Sequence, residues 1–325
     1  MTPGHRRLLA LALVLAVASL AIALLVGSTD IPSAEVLRHL LGDDGSVQDH
    51  IVDQLRLPRA LTAFAVGGLL AVAGVMMQVL LRNPLADPYV LGVSGGAASA
   101  VLGAMLLALP VAWYTAAATV GALFSTLLVF GLTHAGDDWR SERLLLTGIV
   151  VAAGWAALIS FVLSVSPSDR LPGMLFWLMG DLGQASTPSV PLALLIGVLM
   201  LAMLRARDLN VATQGMLRAA ALGVDTGRLR LELYFAAALL TAAAVAIAGA
   251  IGFVGLIVPH LLRRLGGSDH RVLLPGAALV GGSLLVLADT AARTLIRPMQ
   301  LPVGVLTAMI GVPVFLYLLH TRTAR

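Results

Sequence analysis

The sequence predicts an all-α polytopic membrane protein of about ten transmembrane helices, with both termini cytoplasmic, and three observations carry that prediction. Hydrophobic residues make up 59% of the 325, charged residues only 12%, and the mean hydropathy is +0.95, far from the composition of a soluble domain. Apolar runs of about the 20 residues needed to cross a bilayer as a helix recur along the whole chain. The charges between these runs fall unevenly on the two sides, and all 21 basic residues are arginine. The chain therefore reads as one transmembrane domain over 1–325.

The first run, Leu8 to Val26, follows the basic start MTPGHRR. It is long enough to span, and no small-x-small cleavage site followed by a soluble domain comes after it, so it reads as a first span rather than a removed signal. Further spans are expected near 60–81, 89–109, 111–133, 144–165, 189–204, 272–291 and 303–320. The run from Leu233 to Leu262 is 30 residues long and is punctuated by Gly249, Gly252, Gly255 and Pro259. Arg228 and Arg230 precede it, and Arg263, Arg264 and Arg271 follow it. If both clusters are cytoplasmic, the run crosses twice. That parity puts 15 arginines inside and six outside (Arg38, Arg56, Arg59, Arg170, Arg293, Arg297), the bias that the positive-inside rule expects.

Two connecting stretches, 28–58 and 166–188, are then extracytoplasmic. The first carries six acids between Asp30 and Asp53 and reads as a solvated connector. The second, SPSDRLPGMLFWLMGDLGQASTP, has a seven-residue apolar core, too short to cross, with Phe176 and Trp177 suited to an interface. A short outer-surface helix is expected there. From Leu81 to Ser99 the chain turns on Pro84 and Pro88, then enters a glycine- and serine-rich helix start whose small side chains let helices approach closely.

The longest polar interruption, 205–232, carries five arginines. Within it Met216, Leu217, Ala220, Ala221 and Val224 are spaced as an apolar helical stripe, ended by Gly223 and Gly227. So short a helix is unstable alone, but held between spans it would fit another protein's groove. An ordinary basic loop that only fixes topology fits the same pattern. On the outer side, Arg56, Arg59, Arg293 and Arg297 sit at helix ends against the orientation rule. They suit a partner's carboxylates or an anionic ligand, and equally arginines snorkelling to lipid phosphates.

Several chemistries are excluded or disfavoured. The lack of lysine removes a GxxxxGK[ST] nucleotide loop and a Schiff base, and the lack of cysteine removes disulfides and thiolate metal sites. The net charge of +4 is explained first by membrane orientation, so no nucleic-acid partner is expected. The seven histidines are scattered, no HExxH occurs, and no carboxylates pair within a span, so neither a catalytic nor a metal site is expected. The spans hold almost no ionisable residue; Asp289 lies near the outer end of the ninth. An ion-coupled secondary carrier or channel acting without an ATPase, the main alternative, is disfavoured on that ground.

RLPRALTAFAVGGLLAVAGVMMQVLLRNPLADPYVLGVSGGA (56–97) and the stretch 249–319, with GFVGLIVPH, DHRVLLPG and LPVGV, resemble the FecCD-type permeases of type II ATP-binding-cassette importers for vitamin B12, haem and ferric siderophores. The likeness is strongest over 55–325. It implies a ten-helix, multi-pass subunit of the bacterial inner membrane, itself no enzyme and without cofactors, pairing with a second copy as a homodimer. Two cytoplasmic ATPase subunits would bind ATP and Mg and couple through Met216, Leu217, Arg218, Ala221, Leu222, Gly223 and Arg228. A periplasmic or lipid-anchored binding protein would present glutamates to Arg56, Arg59 and Arg293. Asn83, Leu85, Ser141 and Glu142 fall where relatives close the cytoplasmic end. Glu142 replaces a small hydroxyl residue there, and a salt bridge to Arg140 or Arg143 is its plain alternative. DHRVLLPG and the FWLMG segment look most like the vitamin B12 branch.

Overall fold

The computed structural model describes residues 3–27, 32, 50–134, 141–183 and 187–320. Most of the expected acidic connector, Arg140 and the side chain of Ser141 lie outside the described residues. The described residues form thirteen α-helices and no strand. They are α1 (Pro3–Leu25), α2 (Leu57–Leu80), α3 (Val93–Leu106), α4 (Tyr114–His134), α5 (Ser141–Val165), α6 (Leu171–Leu178) and α7 (Ser189–Leu204), followed by α8 (Ala206–Ala212), α9 (Met216–Ala221), α10 (Thr226–Ala248), α11 (Val254–Arg264), α12 (His270–Thr294) and α13 (Val303–His320).

Among the described residues six helices, α1, α2, α4, α5, α10 and α12, are long and apolar enough to cross a membrane alone. α7 bends by 65° into α8. α3 and α11 are shorter, and each is extended by irregular chain. A single 3-10 turn, Pro88–Leu91, leads into α3 through Gly92, whose φ of 69° is a left-handed conformation natural to glycine. Residues 249–253 lead non-helically into α11. Gly249 and Phe253 in this stretch have positive φ, 67° and 70°, so its backbone is neither helical nor uniformly extended. The 30-residue run is thus one full helix, α10, followed by an unwound segment and a half-length helix.

α2 is the centre of the bundle: 89% of its apolar window is buried, against 11% for α5. Glycines permit this. A side chain on Gly67 would meet the carbonyl of Gly281 in α12, and one on Gly74 the carbonyl of Gly255 in α11. In lipid, where apolar side chains gain nothing by leaving the solvent, such close backbone contact supplies much of the packing energy.

The two ends are tied by different residues. At one end Arg56 donates to Leu24 O at 2.6 Å, Arg297 to Gly27 O at 2.6 Å, and Arg170 to Met105 O and Leu106 O at 2.9 and 2.7 Å. At the other end α8 meets the start of α12 through Asn210 and Asp269, and Arg264 donates to Leu318 O. Arg56, Arg170 and Arg297, expected outside, thus lie at one end, and Arg264, expected inside, lies at the other. α6 is the short helix expected at the outer end, where Met179 O lies against Gly304 at the start of α13.

Candidate functional site

At the inner end, the chain leaves α7 at Arg205 and makes the two short helices α8 and α9 before re-entering as α10. α9 closes as a Schellman motif around Gly223 (φ 83°), with Val224 N–H bonded to Ala219 O and Gly223 N–H to Ala220 O, both at 3.0 Å. Asp225 then caps α10 by accepting from Arg228 N–H. This geometry divides the expected stripe. Met216 and Ala219 turn inward, while Leu217 stands 90% exposed and Leu222 70%, flanked by exposed Arg218, Ala220, Ala221 and Gly223. Beneath them Glu232 accepts from Arg205 at 2.8 Å and from Arg228 at 2.9 Å. Hydrogen bonding to Glu232 and its negative charge hold the Arg205 guanidinium above its ordinary value. These pairs border a cleft of about 210 Å³ between α8 and α10.

The sequence reading passed over Asn210. Its Nδ2 donates to Asp269 Oδ1 at 2.8 Å, and its Oδ1 accepts from His270 N–H at 2.9 Å. Asp269 also caps α12 through Arg271 N–H. Partial burial pushes the Asp269 carboxyl up, but the bonds from Asn210 and Arg271, with the charges of Arg271 and His5, prevail and hold it below its usual range. Asn210 thus pins α8 to the start of α12. Only an aspartate before a helix start hinted at this in sequence.

At the outer end Asp289, 1% exposed, takes Arg59 on both oxygens (Nη2 at 2.8 Å, Nε at 3.0 Å) and Arg293 Nε at 3.0 Å. Arg56 is 4% exposed and Arg293 6%, and Arg56 and Arg59 lie close enough for their charges to act on Arg293. The structure therefore brings the three expected docking arginines together, but packed and already bonded rather than free on the surface. Arg59 and Arg293 thus share one carboxylate, that of Asp289. The i,i+4 spacing of Asp289 and Arg293 was the available sequence signal for part of this cluster.

Beside it, α6, the α3–α4 connection, α2 and α10 enclose a cavity of about 860 Å³, lined among others by Thr62, Tyr114, Asp169, Arg170, Trp177 and Asp181. At the inner end, Asn83 Oδ1 accepts from Leu85 N–H at 2.9 Å in an Asx turn. Asn83 and Leu85 are exposed, as is Glu142 in the first turn of α5. Arg143 donates to Leu132 O at 3.4 Å rather than to Glu142. No described hydrogen bond or ion pair joins the 83–85 turn to Glu142, and among the described residues no three metal-ligating side chains converge.

A helical membrane body with an apolar knob at one end, a packed cationic cluster at the other and broken helices between is the build of a transport permease. Its sequence is that of one particular class: the chain belongs to the FecCD transport family, which matches residues 13–321, the permease subunits of type II ATP-binding-cassette importers. It is 45% identical over 278 residues to the hemin transport system permease protein HmuU of Yersinia pestis, covering 83% of each chain. Identity to the vitamin B12 import system permease protein BtuC of Vibrio vulnificus is 40% over 305 residues, covering 92% of each. A solved structure described as an inward-facing conformation of a metal-chelate type ABC transporter superposes with a TM-score of 0.86 at 32% identity, over 97% of this chain and 99% of that one.

Proposed function

We propose that this chain is the membrane subunit of an importer for a bulky metal chelate in the bacterial inner membrane. It works as a homodimer, and two ATPase subunits that bind ATP and Mg drive it from the cytoplasm. The observation that carries the reading is α9, a short helix that displays Leu217 and Leu222 to solvent although the chain between α7 and α10 had ample polar residues to cover them. An apolar knob of this kind at the water-facing end of a membrane body serves a partner's groove. Met216 supports the knob from beneath, Arg218, Ala221 and Gly223 flank it, and Arg228 is positioned on Glu232.

The outer cluster of Arg56, Arg59 and Arg293 receives glutamates of a periplasmic or lipid-anchored binding protein. The arginines' positive charge orients the acids, while Asp289 keeps the Arg59 and Arg293 guanidinium groups fixed before docking. Asn83, Leu85, Ser141 and Glu142 close the cytoplasmic end. Vitamin B12 is the favoured cargo, with haem and ferric siderophores next; relatives named for hemin and for vitamin B12 support the first two alike. The test is uptake into proteoliposomes that hold this chain, its ATPase and its binding protein, offered cyanocobalamin, haem and a ferric siderophore in parallel. ATP-dependent accumulation of one cargo is expected. Uptake without ATP or partners would return the reading to an ion-coupled carrier.

A further inference from the structure

The unwound segment 249–253 lies where a membrane protein rarely leaves backbone bare. Its upper end is at the outer start of α13, where Ala250 O lies against Gly304. Its lower end, Phe253, lies against Gly311, seven residues or ~10 Å further along that helix. Beyond it Gly255 touches Leu70 O in the middle of α2, and Pro88. The segment therefore descends from the outer end into the body of the bundle.

Within it the backbone groups are treated unequally. Tyr89, on the other irregular stretch, donates its hydroxyl to Ile251 O and accepts from Ile251 N–H, both at 2.9 Å. Its one phenol thus replaces the two bonds that a helix would have supplied. The neighbouring Gly252 has no hydrogen-bond partner for its N–H or C=O among the described residues. Gly252 is also half-buried, and a Cβ built on it meets no atom within 4 Å. Open space therefore adjoins two unbonded backbone groups. Hydrocarbon cannot fill that space, because an unbonded peptide group in lipid costs several kcal/mol and bare irregular backbone persists at depth only against protein or water.

We infer that the face of 249–253 at Gly252 is a wet, backbone-lined part of the transport route, and that the Gly252 amide and carbonyl bond the periphery of the passing cargo. The ligand class is a chelate whose rim carries amides or carboxylates. In spans almost free of ionisable side chains, peptide groups supply polarity without a buried charge, and a neutral, fixed dipole holds such a rim weakly enough to release it. This rests on the importer reading for its cargo, but its water-facing geometry stands independently.

The chain has no cysteine, so Gly252→Cys is a unique thiol that the open space accommodates, and Ala250→Cys is a second reporter in the same segment. Gly197→Cys, on the regular helix α7 and also in open space, is the comparison. Each variant is assembled with the ATPase and binding protein in proteoliposomes and treated with a charged methanethiosulfonate or with a lipid-soluble maleimide. Thiolate forms only in contact with water, so Gly252→Cys is expected to react with the charged reagent roughly 10-fold or more faster than Gly197→Cys. That reaction should block ATP-driven uptake. Reaction of Gly252→Cys with the lipid-soluble reagent alone would place the face in lipid, and reaction with neither would place it against the second copy. Either overturns the inference. Uptake by the unsubstituted chain, measured alongside, reports separately on the importer reading, since the labelling rates do not depend on transport.

Discussion

The outer and inner ends of the molecule use the same chemistry, arginine on carboxylate, in opposite settings. Asp289 holds Arg59 and Arg293 with 1% of its own surface exposed. Glu232 holds Arg205 and Arg228 at similar distances, but its side chain is 35% exposed and that of Arg228 70%. Buried charge cannot be left unpaired, whereas pairs in water contribute little and can be rearranged. The outer end is therefore pre-set. The inner end is adaptable, and it displays the apolar knob of Leu217 and Leu222 above its ion pairs.

The contrast can be broken most forcefully at Asp289. Asp289→Ala strands two arginines away from water and is expected to cost about 3–5 kcal/mol, read as lost yield and a lower melting temperature in detergent. Replacing all three, Arg59→Met with Arg293→Met and Asp289→Leu, should recover much of that stability while losing the affinity for the binding protein, which separates folding from docking. Next in size, Leu217→Asp with Ala221→Asp should leave melting unchanged but weaken ATPase association by at least about 2 kcal/mol, roughly 30-fold, in a co-purification or titration assay. Glu232→Gln should shift the melting free energy by no more than about 1 kcal/mol. If it matched Asp289→Ala, the distinction between the ends would fail.

The smallest effect concerns pH. The Asp269 carboxyl is held below its unfolded value of about 3.9, so its contribution is present above that pH and is lost as pH falls through the lower, folded value. The melting temperature of the native chain relative to Asp269→Asn should therefore be flat from pH 8 to about 5 and should converge only below about pH 4. Because the group is mostly exposed, the difference should be small.

What was legible in the sequence followed from how far each cause acts along the chain. Hydropathy and turn residues are local properties, and they located the main helical runs and the short α6. The pairing of Arg59 with Asp289 joins residues 230 apart, which no window of one sequence can see, so arginines that looked available are in fact packed. Met216 shared the apolar spacing of its neighbours, yet the Schellman turn at Gly223 and the anchoring of α8 rotate it inward. The glycines of 249–255 signalled an interruption, but the unwinding depends on Tyr89, which comes from a distant irregular stretch.

α12 has a further consequence. Its first turn is pinned to α8 through Asn210 and Asp269, and its last turns carry Asp289 and Arg293. Twenty-five residues make a rod of ~37 Å, with its only proline, Pro275, near the inner tip. The Asn210–Asp269 contact and the Asp289 cluster are thus the two tips of one strut. A tilt imposed at the Asn210 tip would reach Arg59 and Arg293 without passing through a joint between helices.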